Sequence, residues 1–597
     1  MRKLTAENTR RLVDCAMGRL PADLVVRNGK WVCVQSGEVI PNTDVAVLDG
    51  RIAFVGTSAE HTIGEHTQII EAEGRYLCPG LLDAHMHVES GMLTVTEFVR
   101  AVAPRGTTGM FVDPHEIANV FGLDGVRLMV DEAAIQPIHV FVQMPSCVPS
   151  APGLETPGAM IGPKEVAEAM QWEGIIGLGE MMNFPGVFNG EPNVHAELEE
   201  TRKAGKVIGG HYASPDLGLP FHGYIAGGAE DDHEGTTLED AVQRARQGMK
   251  VMMRYGSAWH DVAAQVKAIT ELGLDSRHFI LCTDDSHSVT LVQEGHMDRV
   301  VRHAIAQGLR PMQAIQMATI NTAAHFGLSR DLGMIAPGRY ADIVLVKDLV
   351  NFHADLVIAR GKVIAENEKL VIELSSFSYP DWATHSVRLK RPIDPADFDL
   401  NVQHPQQGRV VANVIGVIEN QAPTRHLKRE VNIRNGKVML EGERDLAKIA
   451  LVERHRASGI VQVGLVSGFQ FDQRCAIATT VAHDSHHMIV VGTDEPMMAQ
   501  AANFLAEKGG GQVVIKDGQV IGFVHLPIAG LMSNKRAEMV AAEAESVLQG
   551  FKACGCPLNN PNMQLSLLAL VVIPALRISD RGLVDVTQFR FLPVIES

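Results

Sequence analysis

No stretch of the 597-residue chain approaches the ~18 uninterrupted apolar residues that a membrane-spanning helix needs; Leu565 to Leu576 comes nearest and is too short. Met1 to Leu24 is polar and charged and lacks the apolar core of a secretion signal, so the cytoplasm is the expected address. Cysteine is scarce and unpaired. The eight thiols include no C-x-x-C spacing, which favours buried free cysteines in a reducing compartment over a disulfide framework. Cys554-Gly-Cys556 is the one close pair, and no role is assigned to it. A basic excess is missing too: the net charge of -17 argues against a partner with a phosphate backbone. The expected ligand is a small molecule, with no nucleic acid and no membrane involved.

What is present is an ordinary globular composition, 46% hydrophobic and 21% charged, on a chain too long for one core. Cys78-Pro-Gly-Leu-Leu-Asp-Ala-His-Met-His-Val-Glu-Ser90 is the most informative segment, an apolar strand that ends in two histidines. Side chains two apart in a strand share a face, so His85 and His87 leave its end side by side. Alone, the pair reads equally well as a strand cap or as two metal ligands.

The surrounding pattern favours ligands. Ala22 to Gly56 alternates β-rich runs with Asn-Gly and Asp-Gly turns, and a similar composition returns at Gly338–Val346 and Ala359–Ile364. The expectation is one small β-sandwich domain made from both flanks, residues 1–77 and 332–374. Residues 78–331 then form an inserted domain. Its candidate strands end at His87 and run over Thr107–Asp113, Ile138–Pro145, Ile175–Met181, Val207–His211, Ile225–His233, Lys250–Tyr255 and His278–Asp284. Helical stretches such as Asn193–Ala204, Thr237–Gln247 and Trp259–Leu272 separate them. Eight strand-helix units predict a (β/α)8 barrel, an α/β fold whose chemistry sits at the C-terminal ends of the strands. Those ends carry His85 and His87, Asp113 with His115 and Glu116, Glu180, His211, His233, and Asp284 with Asp285. Such a collection suits two divalent cations.

In these residues the chain resembles the amidohydrolase superfamily. The resemblance implies that His85, His87 and Asp284 hold one metal, His211 and His233 the other, and that Glu180 bridges them. Many relatives that open cyclic amides bridge with a carboxylated lysine, whereas Gly-Leu-Gly-Glu180 offers a glutamate. His87-Val-Glu-Ser90, Asp113-Pro-His-Glu-Ile-Ala-Asn-Val120, Asp232-His-Glu234 and Thr283-Asp-Asp285 resemble the adenine deaminases, as do Ser467-Gly-Phe469 and Ala482-His-Asp-Ser-His486. The cytidine-deaminase zinc pattern is excluded, because no P-C-x-x-C follows His87-Val-Glu89.

The implied reaction is hydrolytic deamination of adenine to hypoxanthine and ammonia by a metal-activated hydroxide. Asp284 is the expected proton shuttle, and Glu89 or Glu116 the donor to a ring nitrogen. Glu89, Ser90, Asp113, His115 and Asp285 are expected to contact substrate, while Asp285 and Ser286 also steady Asp284. Nitrogen and carboxylate ligands suit Zn, Fe or Mn, and the resemblance tilts the choice to Mn(2+). The alternative is an amidohydrolase acting on a cyclic amide or another heterocycle. A dimer is the expected assembly.

Beyond a Pro- and Ser-rich linker at residues 375–400, mixed strands and helices predict a C-terminal α+β domain over 401–597. Its strands are placed at Val410–Ile418, Val431–Leu440, Ile460–Val466 and Val513–Val524. Its His483-Asp-Ser-His-His487 cluster is read as a locally hydrogen-bonded turn with no acid at ligand spacing, facing the barrel mouth or a neighbouring subunit.

Overall fold

The computed structural model describes residues 4–257, 259–402, 406–440 and 445–596. A nine-stranded sheet joins strands from both flanks of the inserted barrel, with Tyr76–Pro79 running antiparallel to Ile343–Val346 and parallel to Leu24–Cys33. Leu24 and Val26 pack into one buried cluster and Val25 into another, the two-residue period of a sheet covered on both faces. The Asp49-Gly50 pair closes a two-residue hairpin with Leu48 opposite Arg51, and both residues are left-handed. Asn28-Gly29 does not turn the chain: the strand Leu24–Cys33 passes through it with a register shift.

Between the flanks lies the barrel. Its strands are β1 (Leu81–His87), β2 (Thr107–Val112), β3 (His139–Met144), β4 (Ile175–Met181), β5 (Val207–Gly210), β6 (Asp231–Asp232), β7 (Lys250–Arg254) and β8 (Phe279–Cys282). All ladders are parallel, β1 to β5 in one sheet and β6 to β8 in another. Asp284–Asp285, just beyond β8, pairs with Met86 and His87 and closes one seam. Across the other, the Glu230 amide donates to the Ile208 carbonyl at 3.0 Å.

Two expectations inside the barrel need correction. Residues 225–233 do not form one strand: Leu219–Gly227 is a helix with proline in its first turn, and Gly228 caps it in the left-handed region. Only Asp231–Asp232 remains as β6. Trp259–Leu272 holds two short helices, Val262–Gln265 and Lys267–Thr270, instead of one long one.

The segment after residue 374 has little regular structure but is pinned. The Tyr379 hydroxyl donates to Glu132, the Ile393 amide to Asn503 Oδ1 at 2.8 Å, and Phe398 is fully buried. Next comes a second nine-stranded sheet, flanked by helices Glu495–Lys508 and Ala537–Ala553. Two runs read as single strands are hairpins there. Arg425–Arg434 turns at Asn435-Gly436 into Lys437–Met439, and Gly511–Lys516 turns at Asp517-Gly518 into Gln519–His525.

Candidate metal centre and active site

β1 delivers His85 and His87 to the rim with both rings buried. His87 Nδ1 lies 2.8 Å from the Asp113 main-chain oxygen, so the proton on Nδ1 is donated there and Nε2 is left with its lone pair free. That Nε2 stands 2.8 Å from Glu180 Oε1 and 3.2 Å from Asp284 Oδ1. His85 Nε2 lies 3.0 Å from the same glutamate oxygen and 3.9 Å from Asp284 Oδ1. The other oxygen of Glu180 faces β5, with His211 Nδ1 2.8 Å from Oε2. His233, following β6, puts Nε2 3.8 Å from Glu180 Oε1 and stacks on His85 with centroids 4.1 Å apart.

All six residues assigned to metal by resemblance therefore meet at one point, with Glu180 turned toward two groups of ligands. Atoms bound about 2.0–2.2 Å from one cation sit roughly 3 to 3.5 Å from each other. The separations here are of that order. His211 Nδ1 is buried and lacks hydrogen-bond geometry despite its close approach to Glu180, as expected of a lone pair aimed beside the oxygen. Four imidazoles and two carboxylates without thiolate fit a divalent metal.

Neighbouring residues hold these side chains in place. The Asp113 carboxylate, fully buried beyond β2, accepts the Glu180 amide at 2.7 Å. A Cβ on Gly179 would lie 2.1 Å from Asp113 Oδ2, so only glycine lets β4 pass so close. Asp83 accepts the Thr283 amide at 3.0 Å and its hydroxyl at 2.6 Å, tying β1 to β8. Contact with the Asp284 carboxylate comes from Arg254 Nη1 at 3.0 Å; Asp285 is engaged elsewhere, by the Ser90 hydroxyl and by Trp259 Nε1 at 3.3 Å.

Sequence reasoning assigned no role to Arg254 or Glu234. Arg254 ends β7 and also binds Asp261 at 2.8 Å and Glu234, whose carboxylate lies 3.6 Å from His233 Nε2. Treating the end of β7 like the other strand ends would have found it. The histidine turn also needs correction: an acid does face it. His483 Nδ1 lies 3.5 Å from Glu116 Oε1, a partner contributed by the barrel.

Electrostatics separates the acids. Burial disfavours a charge on Glu180, but His211 and His87 outweigh it and hold that carboxyl well below its usual range. Burial pushes Glu89 up to about 7. It pushes Asp113 up to about 6, with the Glu180 charge adding to the effect. Burial and the nearby Glu89 hold Glu116 well above the carboxylate range, and burial with His87 pushes His115 down to about 3. The pocket thus combines an ionised glutamate among imidazoles with carboxyls able to keep a proton near neutrality.

An amidohydrolase family profile matches residues 76–364, and an adenine deaminase C-terminal domain profile matches residues 421–590. Adenine deaminase 3 of Rhizobium meliloti is 60% identical over 98% of this chain and 98% of its own. The adenine deaminase of Mesorhizobium japonicum is 60% identical over 97% and 96%, and that of Moorella thermoacetica 51% over 100% and 99%. Matched from end to end at this level, the chain belongs to the adenine deaminase family of amidohydrolases.

Proposed function

We propose that the chain hydrolyses adenine to hypoxanthine and ammonia with two divalent cations, manganese by preference: His85, His87 and Asp284 would hold one, His211 and His233 the other, and Glu180 would serve both. The observation that carries this reading is Glu180, whose two oxygens face different imidazole groups while Asp284 stands alongside. Full-length relatives that carry the adenine deaminase name give the substrate. What such a metal pair supplies when bound is Lewis-acid activation of water at neutral pH.

The side chains do the rest. Asp284 takes the proton of the attacking water and passes it to the exocyclic nitrogen, which must be protonated to leave as ammonia. Arg254 fixes Oδ2 of that carboxylate and leaves Oδ1 toward the imidazoles. Glu89 or Glu116, both buried and able to stay protonated, gives a proton to a ring nitrogen as C6 becomes tetrahedral and recovers one from the C6 hydroxyl as ammonia leaves and the carbonyl forms. Asp113 positions Glu180, and His115, Ser90 and Asp285 complete the wall around the purine.

We assign residues 1–77 with 332–374, 78–331 and 401–597 to three domains, with 375–400 as the connection, in a cytoplasmic dimer. Eight buried free cysteines support a reducing compartment, and among the described residues no helix is long and apolar enough to cross a membrane. The test is ammonia release from adenine, adenosine, guanine and cytosine, beside hydantoin and dihydroorotate, with metal content measured on the same sample. Release from adenine alone is expected. Opening of a cyclic amide without ammonia would overturn the reading.

A further inference from the structure

Glu116 belongs to the barrel, but its nearest charged or polar neighbours include side chains from the far end of the chain. His483, His486 and Glu116 bring ligand-type atoms within 4.8 Å of one another. The Ala482 amide donates to His486 Nδ1 at 3.2 Å, so that nitrogen carries the lone pair and Nε2 carries the proton. His486 Nε2 is fully buried and has no hydrogen-bond partner among the described residues. The two rings meet edge to face, with centroids 5.2 Å apart.

This tautomer argues against a third metal. Coordination through Nε2 would move the proton to Nδ1, where it would collide with the Ala482 N–H. A neutral donor pair suits the cluster better. The turn is firmly held: buried Arg454 donates to the His486 carbonyl at 2.5 Å and to the Ala529 carbonyl at 2.9 Å, and His487 Nε2 reaches the Thr156 carbonyl at 2.8 Å. His483 therefore meets Glu116 from a rigid support, with Asp285 close enough to act electrostatically on both and Glu89 on Glu116.

We propose that His483 of the C-terminal domain is a positioning residue for the deamination: with Nδ1 3.5 Å from Glu116 Oε1 it orients the Glu116 carboxyl in the pocket, and the His486 ring packs edge to face against it. The barrel alone would then hold a metal centre with a misplaced acid. This rests on the adenine-deaminating reading of the site.

The experiment compares wild type, His483→Ala, His483→Asn and His483→Gln in the full-length, metal-loaded protein. It reads kcat and KM for adenine, bound metal and melting temperature. Asparagine places an N–H where Nδ1 stands; glutamine places it nearer Nε2. His483→Ala is expected to lower kcat by about 10- to 100-fold with metal content unchanged and KM altered less than threefold, on the scale of lost positioning. His483→Asn should recover at least a third of the wild-type kcat, and His483→Gln should not.

Wild-type kcat in His483→Ala would overturn the proposal. Equal loss in all three variants with a lowered melting temperature would also overturn it, as would a third metal per chain lost with His483. If wild type itself releases no ammonia from adenine, the functional reading fails instead, before any variant is compared.

Discussion

Asp284 and Glu180 both touch His87, yet their other contacts differ. Asp284 has one oxygen on Arg254 and one toward the imidazoles, so an amide in its place keeps much of the local packing but no longer accepts a proton. Asp284→Asn is expected to fold, retain metal and lose about 10²- to 10⁴-fold in kcat. Glu180→Gln replaces one of two facing oxygens with a donor, and elemental analysis should find metal lost together with rate. A buried carboxyl away from this cluster gives a third prediction. Glu155 accepts the Ser150 hydroxyl and the Ala151 amide, and burial holds it up at about 7 instead of 4.5. The unfolded chain releases this proton first, so stability falls as pH rises from about 4.5 and levels off above 7. The loss amounts to about 3 kcal/mol. Glu155→Gln should flatten the melting temperature against pH between 5 and 7.5.

At the scale of elements, the loop after β7 is packed against the loop after β8. A Cβ on Gly256 would lie 2.3 Å from both the Thr283 and Asp285 carbonyl oxygens, backbone atoms that cannot swing aside. Gly256→Ala must displace the backbone on either side of Asp284. A loss of about 1–3 kcal/mol in denaturant titrations is expected, with a fall in kcat. Most barrel strands were legible because their apolar runs end in polar side chains that a core does not need. β6 was not: it is two aspartates, whose partners, such as the Gly210 amide on Asp231 and Arg244 beside Asp232, are remote in sequence. A far greater separation along the chain hid the pairing of Glu116 with His483. Asn-Gly was ambiguous for a related reason: at residues 435–436 it turns the chain, whereas at 28–29 Asn28 is equally left-handed but makes only a register shift, because neighbouring strands keep the chain running in the same direction.

Across the whole molecule, barrel and C-terminal region share one hydrophobic cluster, in which Phe98, Ile117 and Val120 belong to the same network as Leu526, Met532 and Leu565. Main-chain bonds cross the boundary: Thr94 donates to Ser533 at 3.1 Å, and Ser533 to Met92 at 2.9 Å. Calorimetry of the metal-loaded protein should therefore show these two regions melting together. Two well-separated transitions would contradict the shared core.

The sheet assembled from both flanks bears on how the polypeptide is made. Tyr76–Pro79 leaves the ribosome early, but its antiparallel neighbour Ile343–Val346 is not translated until the barrel has been. At about 5–20 residues per second, that edge stays open for roughly 15 to 50 s. Throughout that interval its unpaired amides and carbonyls are a template for adhesion between nascent chains, so synthesis of this protein calls for chaperone cover over the first strands.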